Sequence, residues 1–135
     1  MSGIKVLDKL LKEMTPSLSS EEYVFCSLEE SAFDPLRIVP LMTFKEEEGL
    51  TVILEKKQAE ANNLSYSGSW AKITLNIHSD LEAVGFLAKI STALAERGIS
   101  VNVVSAYYHD HLFVPSHQAP KALAVLEDLS KFKAR

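Results

Sequence analysis

Apolar residues recur at helical spacing at the start of the chain and at strand spacing further along it. Four of them, spaced three, four and three positions apart, share one face of a predicted helix: Ile4, Leu7, Leu11 and Met14. Pro16 ends that helix, and the apolar run 23–28 has the length of a strand. Residues 31–41 contain two prolines, so they allow at most a short helix or an irregular crossing.

The middle of the chain predicts a hairpin followed by a short helix. In residues 41–54, two strand-like runs flank three glutamates and Gly49, whose permissive backbone suits a turn. Residues 56–64 predict the helix, and residues 65–69 are the most linker-like stretch of the chain.

The second half of the chain shows sharper patterns. Apolar and polar residues alternate over 70–78, which predicts a strand with one buried and one polar face. From about 83 to 97 the spacing is helical, and Gly98 supplies the C-cap. Three elements follow: a strand at 99–108, a strand at 111–115 after a turn at His109 and Asp110, and a final helix that Ser116 caps.

The two halves repeat each other across the hairpin and the helix that follows it. At an offset of 60 residues, the repeat pairs Val52 with Leu112, Leu54 with Val114, Gln58 with Gln118 and Ala59 with Ala119. Tyr23 pairs instead with Trp70, at an offset of 47. The crossing segment of the first half is therefore about one helix shorter than that of the second.

Composition and charge exclude some classes of protein function. The 135 residues are 47% apolar and 24% charged, which predicts one domain or two very small ones. With 14 basic and 18 acidic residues the net charge is -4, so nucleic acid is not an expected partner. The apolar runs are too short to span a membrane, and the charged first residues do not form a signal-peptide core, so a cytoplasmic protein is expected. The lone cysteine, Cys26, lies in an apolar run and is expected to be buried and inert.

Residues 70 to 132 resemble the ACT domain, whose pattern is a βαββαβ sandwich with a glycine before the first helix and a Gly-Ile pair at its end. Gly85, Gly98 and Ile99 match that pattern. Together, the runs YVFCS, EEGLTVIL, HSDLEAVGF and YYHDHLFVP resemble a family of small bacterial proteins with two ACT-like units and no assigned activity. The last run is also similar to the ACT units of the cytosolic arginine sensors of animals and of aspartate kinase regulatory domains, which bind amino acids.

The resemblance implies an α+β fold of two ACT-like, ferredoxin-like βαββαβ units, each an antiparallel sheet with helices on one face. The expected division is a degenerate N-terminal ACT-like unit at 1–68 and a C-terminal ACT unit at 69–135. One continuous ferredoxin-like sheet with an extra hairpin is the alternative. The second unit shows no fourth strand after its last helix, so we expect residues 23–28 to supply it.

A helix N-terminus presents unpaired N–H groups and a partial positive charge, so the loop before the second half's first helix can receive an amino acid carboxylate. The expected ligand contacts in this loop and helix start are Ser79, Asp80, Val84, Gly85 and Phe86. The alternative is that Ser79 and Glu82 form an ordinary capping box and that Gly85 only permits tight packing.

Resemblance to the arginine sensors implies that the segment from Ser105 to Asp110 forms the opposing wall of the site. Asp110 would pair with a cationic group of the ligand, and Tyr107 with Phe86 would cover its aliphatic part. The alternative for Asp110 is a turn between two strands, a role that aspartate fills on its own.

No catalytic residue, metal or cofactor is expected. His109 and His111, with His78 and Asp110, are the metal alternative, but nothing in the sequence fixes His78 near that turn. The sequence has no nucleophile elbow, His-Glu-x-x-His motif or glycine-rich phosphate loop.

We therefore expect a non-catalytic regulatory protein that binds a small ligand, with an amino acid as first choice, and that acts on an unidentified partner protein. The alternative is a structural protein-interaction adaptor whose ACT-like pocket is empty. Because each unit is too small to cover both faces of its sheet, a homodimer or a higher homo-oligomer is also expected.

Overall fold

The structure, a computed structural model, describes residues 3–77 and 85–131. Its helices are α1 (Gly3–Glu13), α2 (Lys56–Ala61), α3 (Phe86–Glu96) and α4 (Ala119–Lys131). Its strands are β1 (Thr15–Leu28), β2 (Met42–Lys45), β3 (Leu50–Glu55), β4 (Trp70–Asn76), β5 (Asn102–Ser105) and β6 (Asp110–Pro115). Single 3-10 turns cover Glu30–Ala32 and Ser116–Gln118. This order of elements is the predicted one.

The strands form a six-stranded antiparallel sheet in the order β2-β3-β1-β4-β6-β5. The hairpins β2–β3 and β5–β6 are each paired residue by residue, with Lys45 opposite Leu50 and Ser105 opposite Asp110. The expected α+β fold, with ferredoxin-like units built on an antiparallel sheet, is therefore confirmed.

Internal contacts divide the chain into two units. The N-terminal unit is Ser20–Trp70, and the C-terminal unit combines the residues up to Ser19 with those from Ala71 onward. The division expected from the sequence, 1–68 and 69–135, instead kept the first residues with the N-terminal unit. They join the C-terminal unit because α1 packs on α3 and α4.

Two contacts hold α1 in the C-terminal unit. Leu11 and Met14 are buried in that unit's core, as the helical spacing predicts. The Ser130 hydroxyl of α4 donates a hydrogen bond to the carbonyl oxygen of Met14 at 2.9 Å.

The long strand β1 takes part in both units. Residues 23–28, which we expected to complete the C-terminal unit, pair along one edge with β3 of the N-terminal unit, from Tyr23 opposite Glu55 to Leu28 opposite Leu50. The strand order places β1 beside β4, and the part of β1 that belongs to the C-terminal unit is Thr15–Ser19. The division by internal contacts thus assigns the first part of β1, and not residues 23–28, to the C-terminal unit.

The core of the C-terminal unit lies between its helices and one face of β4 and β6. Ala71, Ile73 and Leu75 are buried and alternate with more exposed residues, which confirms the predicted one-sided strand. Helix α3 runs from Phe86 to Glu96, and its C-cap is Arg97 and not the predicted Gly98. Gly98 follows the cap with a φ of 72°, and its N–H donates to the carbonyl oxygen of Ala95 at 2.9 Å. Ser116, the predicted cap of the last helix, starts the 3-10 turn that precedes α4.

The core of the N-terminal unit is smaller, and its crossing segment contains no α-helix. Ile38 from that segment is buried against Val24, Val52 and Leu54. Cys26 lies in the same cluster, and burial raises the pKa of its thiol, which fits the expected inert cysteine. Within the described part of the chain, no helix has the length and apolar character needed to cross a membrane.

Candidate functional site

The sequence repeat is also a structural repeat. From 45 to 61 and from 105 to 121, each residue has the same degree of burial as its counterpart 60 positions away. Gln58 and Gln118 also act alike, since each side-chain amide donates to a backbone carbonyl of its unit's crossing segment, Val39 at 3.2 Å and Gly98 at 3.3 Å.

Within this repeat, one buried position differs in chemistry. Leu50 begins β3 and is 6% exposed, whereas its counterpart Asp110 begins β6 and is 9% exposed. Asp110 is the one charged side chain among the described residues that is buried. Aspartate is almost never buried in proteins unless another group pairs with it, so this position points to a partner for the carboxylate.

The backbone around Asp110 is that of a tight hairpin. Asp110 is the cross-strand partner of Ser105, and the N–H of Ala106 donates to the carbonyl oxygen of His109 at 3.0 Å. An aspartate that only shapes a turn keeps its carboxylate near the local backbone or in solvent. Burial of the residue is compatible with both the site interpretation and the turn alternative.

Gly85 forms the start of α3. It is the N-cap residue, has a φ of 86° and makes no side-chain cap, so the first N–H groups of the helix receive no capping side chain from it. A Cβ at this position would lie 3.7 Å from the Cδ2 atom of Leu7, which is an ordinary contact. Glycine is therefore required by the left-handed backbone and not by crowding.

The hairpin turn lies close to the end of β4, from which the chain runs towards α3. The Nδ1 atom of His109 is 3.5 Å from the carbonyl oxygen of Ile77. The structure thus brings Ser105 and Asp110 to the end of the sheet where the expected loop begins.

The other predicted site residues lie in different surroundings. Ser79, Asp80 and Val84, together with His78 and Glu82, are outside the described residues. The Phe86 side chain is buried in the core at 2% exposure, so it is already covered by protein and only its backbone faces the helix start. Tyr107 is 73% exposed and contacts the edge of Tyr108, with ring centroids 4.9 Å apart.

A polar contact on β4 and β6 was not predicted from the sequence. Thr74 Oγ1 and His111 Nδ1 are 2.9 Å apart, and burial lowers the pKa of His111, with smaller effects from Lys72 and His109. The matching alternation of polar residues at 72, 74, 109 and 111 is the signal that could have suggested it. No group of three or more metal-binding side chains occurs within 3–77 and 85–131.

Family models match both halves of the sequence. An ACT domain model matches residues 2–71, and a second ACT domain model matches residues 65–128. The chain belongs to the ACT-domain family. A search of curated proteins finds no match.

Solved structures agree with this ACT assignment. A Vibrio cholerae protein described as of unknown function and a possible transport protein is 45% identical, with 96% of this chain and 99% of that chain covered and a TM-score of 0.87. An Agrobacterium tumefaciens protein is 17% identical, covers 87% and 89% of the two chains and has a TM-score of 0.72. The regulatory subunit of aspartate kinase from Thermus thermophilus has the same fold, with a TM-score of 0.58, 11% identity and 87% and 99% covered.

Proposed function

We propose that this ACT protein is a non-catalytic cytoplasmic regulator that binds a small amino acid through its C-terminal unit. ACT domains are regulatory ligand-binding modules, and this chain has the fold of an aspartate kinase regulatory subunit. The observation that supports the proposal is that Asp110 is a buried residue at a position where the repeated unit has Leu50.

The chemistry of an amino acid matches the two groups that the C-terminal unit offers. Its carboxylate fits the helix start after Gly85, because the first N–H groups of α3 and the helix dipole favour an anion. Its ammonium group, or a basic side chain, fits the Asp110 carboxylate, since a charged hydrogen bond contributes about 1.5 to 3 kcal/mol. In this proposal, Ser79, Asp80 and Val84 border the anion position, and Ser105 and Tyr107 border the cation position.

Thermal unfolding in the presence of each of the twenty amino acids tests the proposal. A ligand at a hundred times its Kd stabilises the native state by about 2.7 kcal/mol, which a melting curve detects. Asp110→Asn should then weaken binding by about tenfold or more, because it removes the charge but retains the shape.

Asp128→Asn is the matched control, because Asp128 is exposed on α4 of the same unit. It should leave both the affinity and the melting temperature unchanged. Equal affinity of Asp110→Asn and the wild type for the amino acid would show that Asp110 only forms the turn and does not bind the ligand. A protein that no amino acid stabilises would instead favour the adaptor.

The proposal includes a homodimer or a higher homo-oligomer. Strand β5 lies at one end of the strand order, and its exposed Val103 is followed by the exposed Tyr107 and Tyr108. Light scattering that gives a mass of 15.0 kDa at all concentrations would exclude such an assembly.

A further inference from the structure

The N-terminal unit carries a surface with an unusual charge. Six of the 18 acidic residues but only two of the 14 basic residues lie between 29 and 48, so this stretch holds the whole formal net charge of -4. The acidic residues are Glu29, Glu30, Asp34, Glu46, Glu47 and Glu48, and the basic residues are Arg37 and Lys45. Lys45 already pairs with Glu30 at 3.6 Å, so an acidic excess faces solvent.

The same stretch exposes large apolar side chains. It contains four of the eight exposed large apolar residues that the described part of the chain shows. They are Leu36 at 92%, Val39 at 70%, Leu41 at 47% and Phe44 at 64% exposure. We call residues 29–48 the β2 edge surface. Exposed apolar groups rimmed by charge are typical of interaction sites.

Hydrogen bonds fix the backbone of this surface. The side-chain amide of Gln58 accepts from the N–H of Val39 at 2.8 Å and donates to its carbonyl oxygen at 3.2 Å. Asp34 accepts from the N–H of Leu36 at 2.9 Å, and the N–H of Leu41 donates to Ile53 at 2.7 Å. The backbone that carries these apolar side chains is therefore held in place before any partner arrives, which lowers the backbone entropy lost on binding.

Strand β2 gives this surface a free sheet edge. It lies at the end of the strand order, and in the described part of the chain it pairs with β3 alone. Phe44 stands opposite Thr51, and Thr43 stands opposite Val52, which belongs to the buried core cluster with Ile38. Because side chains alternate between faces, Phe44 lies on the sheet face away from that cluster.

We propose that the β2 edge surface binds an extended segment of a partner protein in which basic and apolar residues alternate. Such a segment adds a strand to β2, places apolar side chains against Phe44 on one face and against Leu41 on the other, and neutralises the acidic rim. A second copy of this chain fits less well, because its own β2 edge surface brings a second acidic excess and not the basic residues that would neutralise the first. The proposal concerns the N-terminal unit and does not depend on the amino acid site.

The probe is an end-blocked, fluorescein-labelled peptide of about six alternating valine and lysine residues, a typical strand length. Fluorescence anisotropy with the full chain should show saturable binding that weakens as salt is raised. Two control peptides should bind at least about tenfold more weakly: one with glutamate in place of lysine, and one with N-methyl groups that block strand pairing.

Paired variants then locate the binding site. Glu47→Lys with Glu48→Lys should weaken binding by about tenfold or more, whereas Glu96→Lys with Glu127→Lys, which changes the net charge equally on exposed positions of the C-terminal unit, should not. Phe44→Ser should also weaken binding, and Leu18→Ser, an exposed residue of β1, should not. If Phe44→Ser does not fold, the charge pair alone decides.

Several outcomes would overturn the proposal. They are the absence of saturable binding at millimolar peptide, equal binding of the glutamate or N-methyl peptide, and equal effects of the test and control variants. A dimer in light scattering that becomes a monomer in Phe44→Ser would show that a second copy occupies β2, and would also refute it.

Discussion

The two hairpins, β2–β3 and β5–β6, have the same strand register and the same burial but differ in chemistry at one buried position. Leu50 and Asp110 both begin the second strand of their hairpin and are both buried. Leucine at that position contributes to packing, whereas aspartate there loses hydration and requires a compensating partner. Each unit of the repeat thus serves as a reference for the other. A buried position at which the two units differ in chemistry identifies a residue that is a candidate for a role other than packing.

The two crossing segments differ in a second way. In the C-terminal unit the crossing is helix α3, which buries Phe86, Ile90 and Leu94. In the N-terminal unit it is a 3-10 turn and an irregular loop, which buries Ile38 but leaves Leu36 and Val39 exposed. The crossing segment without an α-helix therefore leaves apolar side chains exposed, whereas the helical crossing segment buries its apolar side chains in the core.

Exchanging the residues that begin β3 and β6 is expected to have the largest effect. Leu50→Asp should lower the free energy of unfolding by about 4 kcal/mol, because it removes apolar packing and buries a carboxylate. Asp110→Leu should raise it by about 1 kcal/mol and abolish stabilisation by amino acids. Urea denaturation of both variants measures these changes. A loss of stability in Asp110→Leu would mean that the carboxylate supports the fold itself.

Truncating one leucine in each crossing segment should reduce the free energy of unfolding by very different amounts in the two units. Leu94→Ala should destabilise the protein by about 3 kcal/mol, since Leu94 is fully buried. Leu36→Ala should change stability by less than about 0.5 kcal/mol, since Leu36 is 92% exposed. Melting temperatures compare the two directly. A large effect at Leu36 would show that its loop is packed in solution.

Replacing the two glutamines that correspond in the repeat, Gln58 and Gln118, should reduce stability by moderately different amounts. Gln58 makes two hydrogen bonds to Val39, whereas Gln118 makes one long hydrogen bond to Gly98. Gln58→Ala should therefore destabilise the protein by about 1.5 kcal/mol and Gln118→Ala by about 0.5 kcal/mol. Equal losses, measured by denaturant unfolding, would argue against a held loop in the β2 edge surface.

The smallest expected effect is on the pH dependence of the free energy of unfolding. It concerns His111, whose counterpart in the repeat is Thr51. Burial, followed by Lys72 and His109, lowers the pKa of His111 below 6.5, while Asp110 acts in the opposite direction. The unfolded chain then takes up the proton more readily, so this part of the stability is complete above pH 6.5 and is lost as pH falls towards the folded pKa.

His111→Thr should make the free energy of unfolding less dependent on pH below 6.5. His117→Thr is the control, because His117 is exposed on the 3-10 turn before α4. The free energy of unfolding of His117→Thr should depend on pH as it does in the wild type. An equally reduced pH dependence in both variants would mean that the effect comes from the change in net charge and not from His111.

Much of the fold follows from local sequence patterns. Alternation identified β4, helical spacing identified α1 and α3, and the offset of 60 identified the repeated hairpin and helix, because each pattern reflects which side chains meet the core. The candidate site was only partly accessible in this way. Asp110 and Gly85 could be named from the sequence, but burial of Asp110 depends on packing between distant elements.

The placements that local sequence patterns do not specify share one physical origin. Residues 23–28 have a strand pattern, but nothing local states which strand lies beside them. The stripe on α1 likewise indicates a buried face without stating which unit covers it. Phe86 could serve a ligand or the core on sequence grounds alone, and the structure places it in the core.

The division of β1 between the two units has a consequence for the order in which the chain folds. Ser20–Trp70 is continuous, so the N-terminal unit has all its residues as soon as position 70 leaves the ribosome. The first residues up to Ser19 must wait for partners that begin at Ala71, so the C-terminal unit closes a long loop before it gains its contacts. During synthesis the apolar stripe of α1 therefore remains without its partner helices until α3 and α4 have been made.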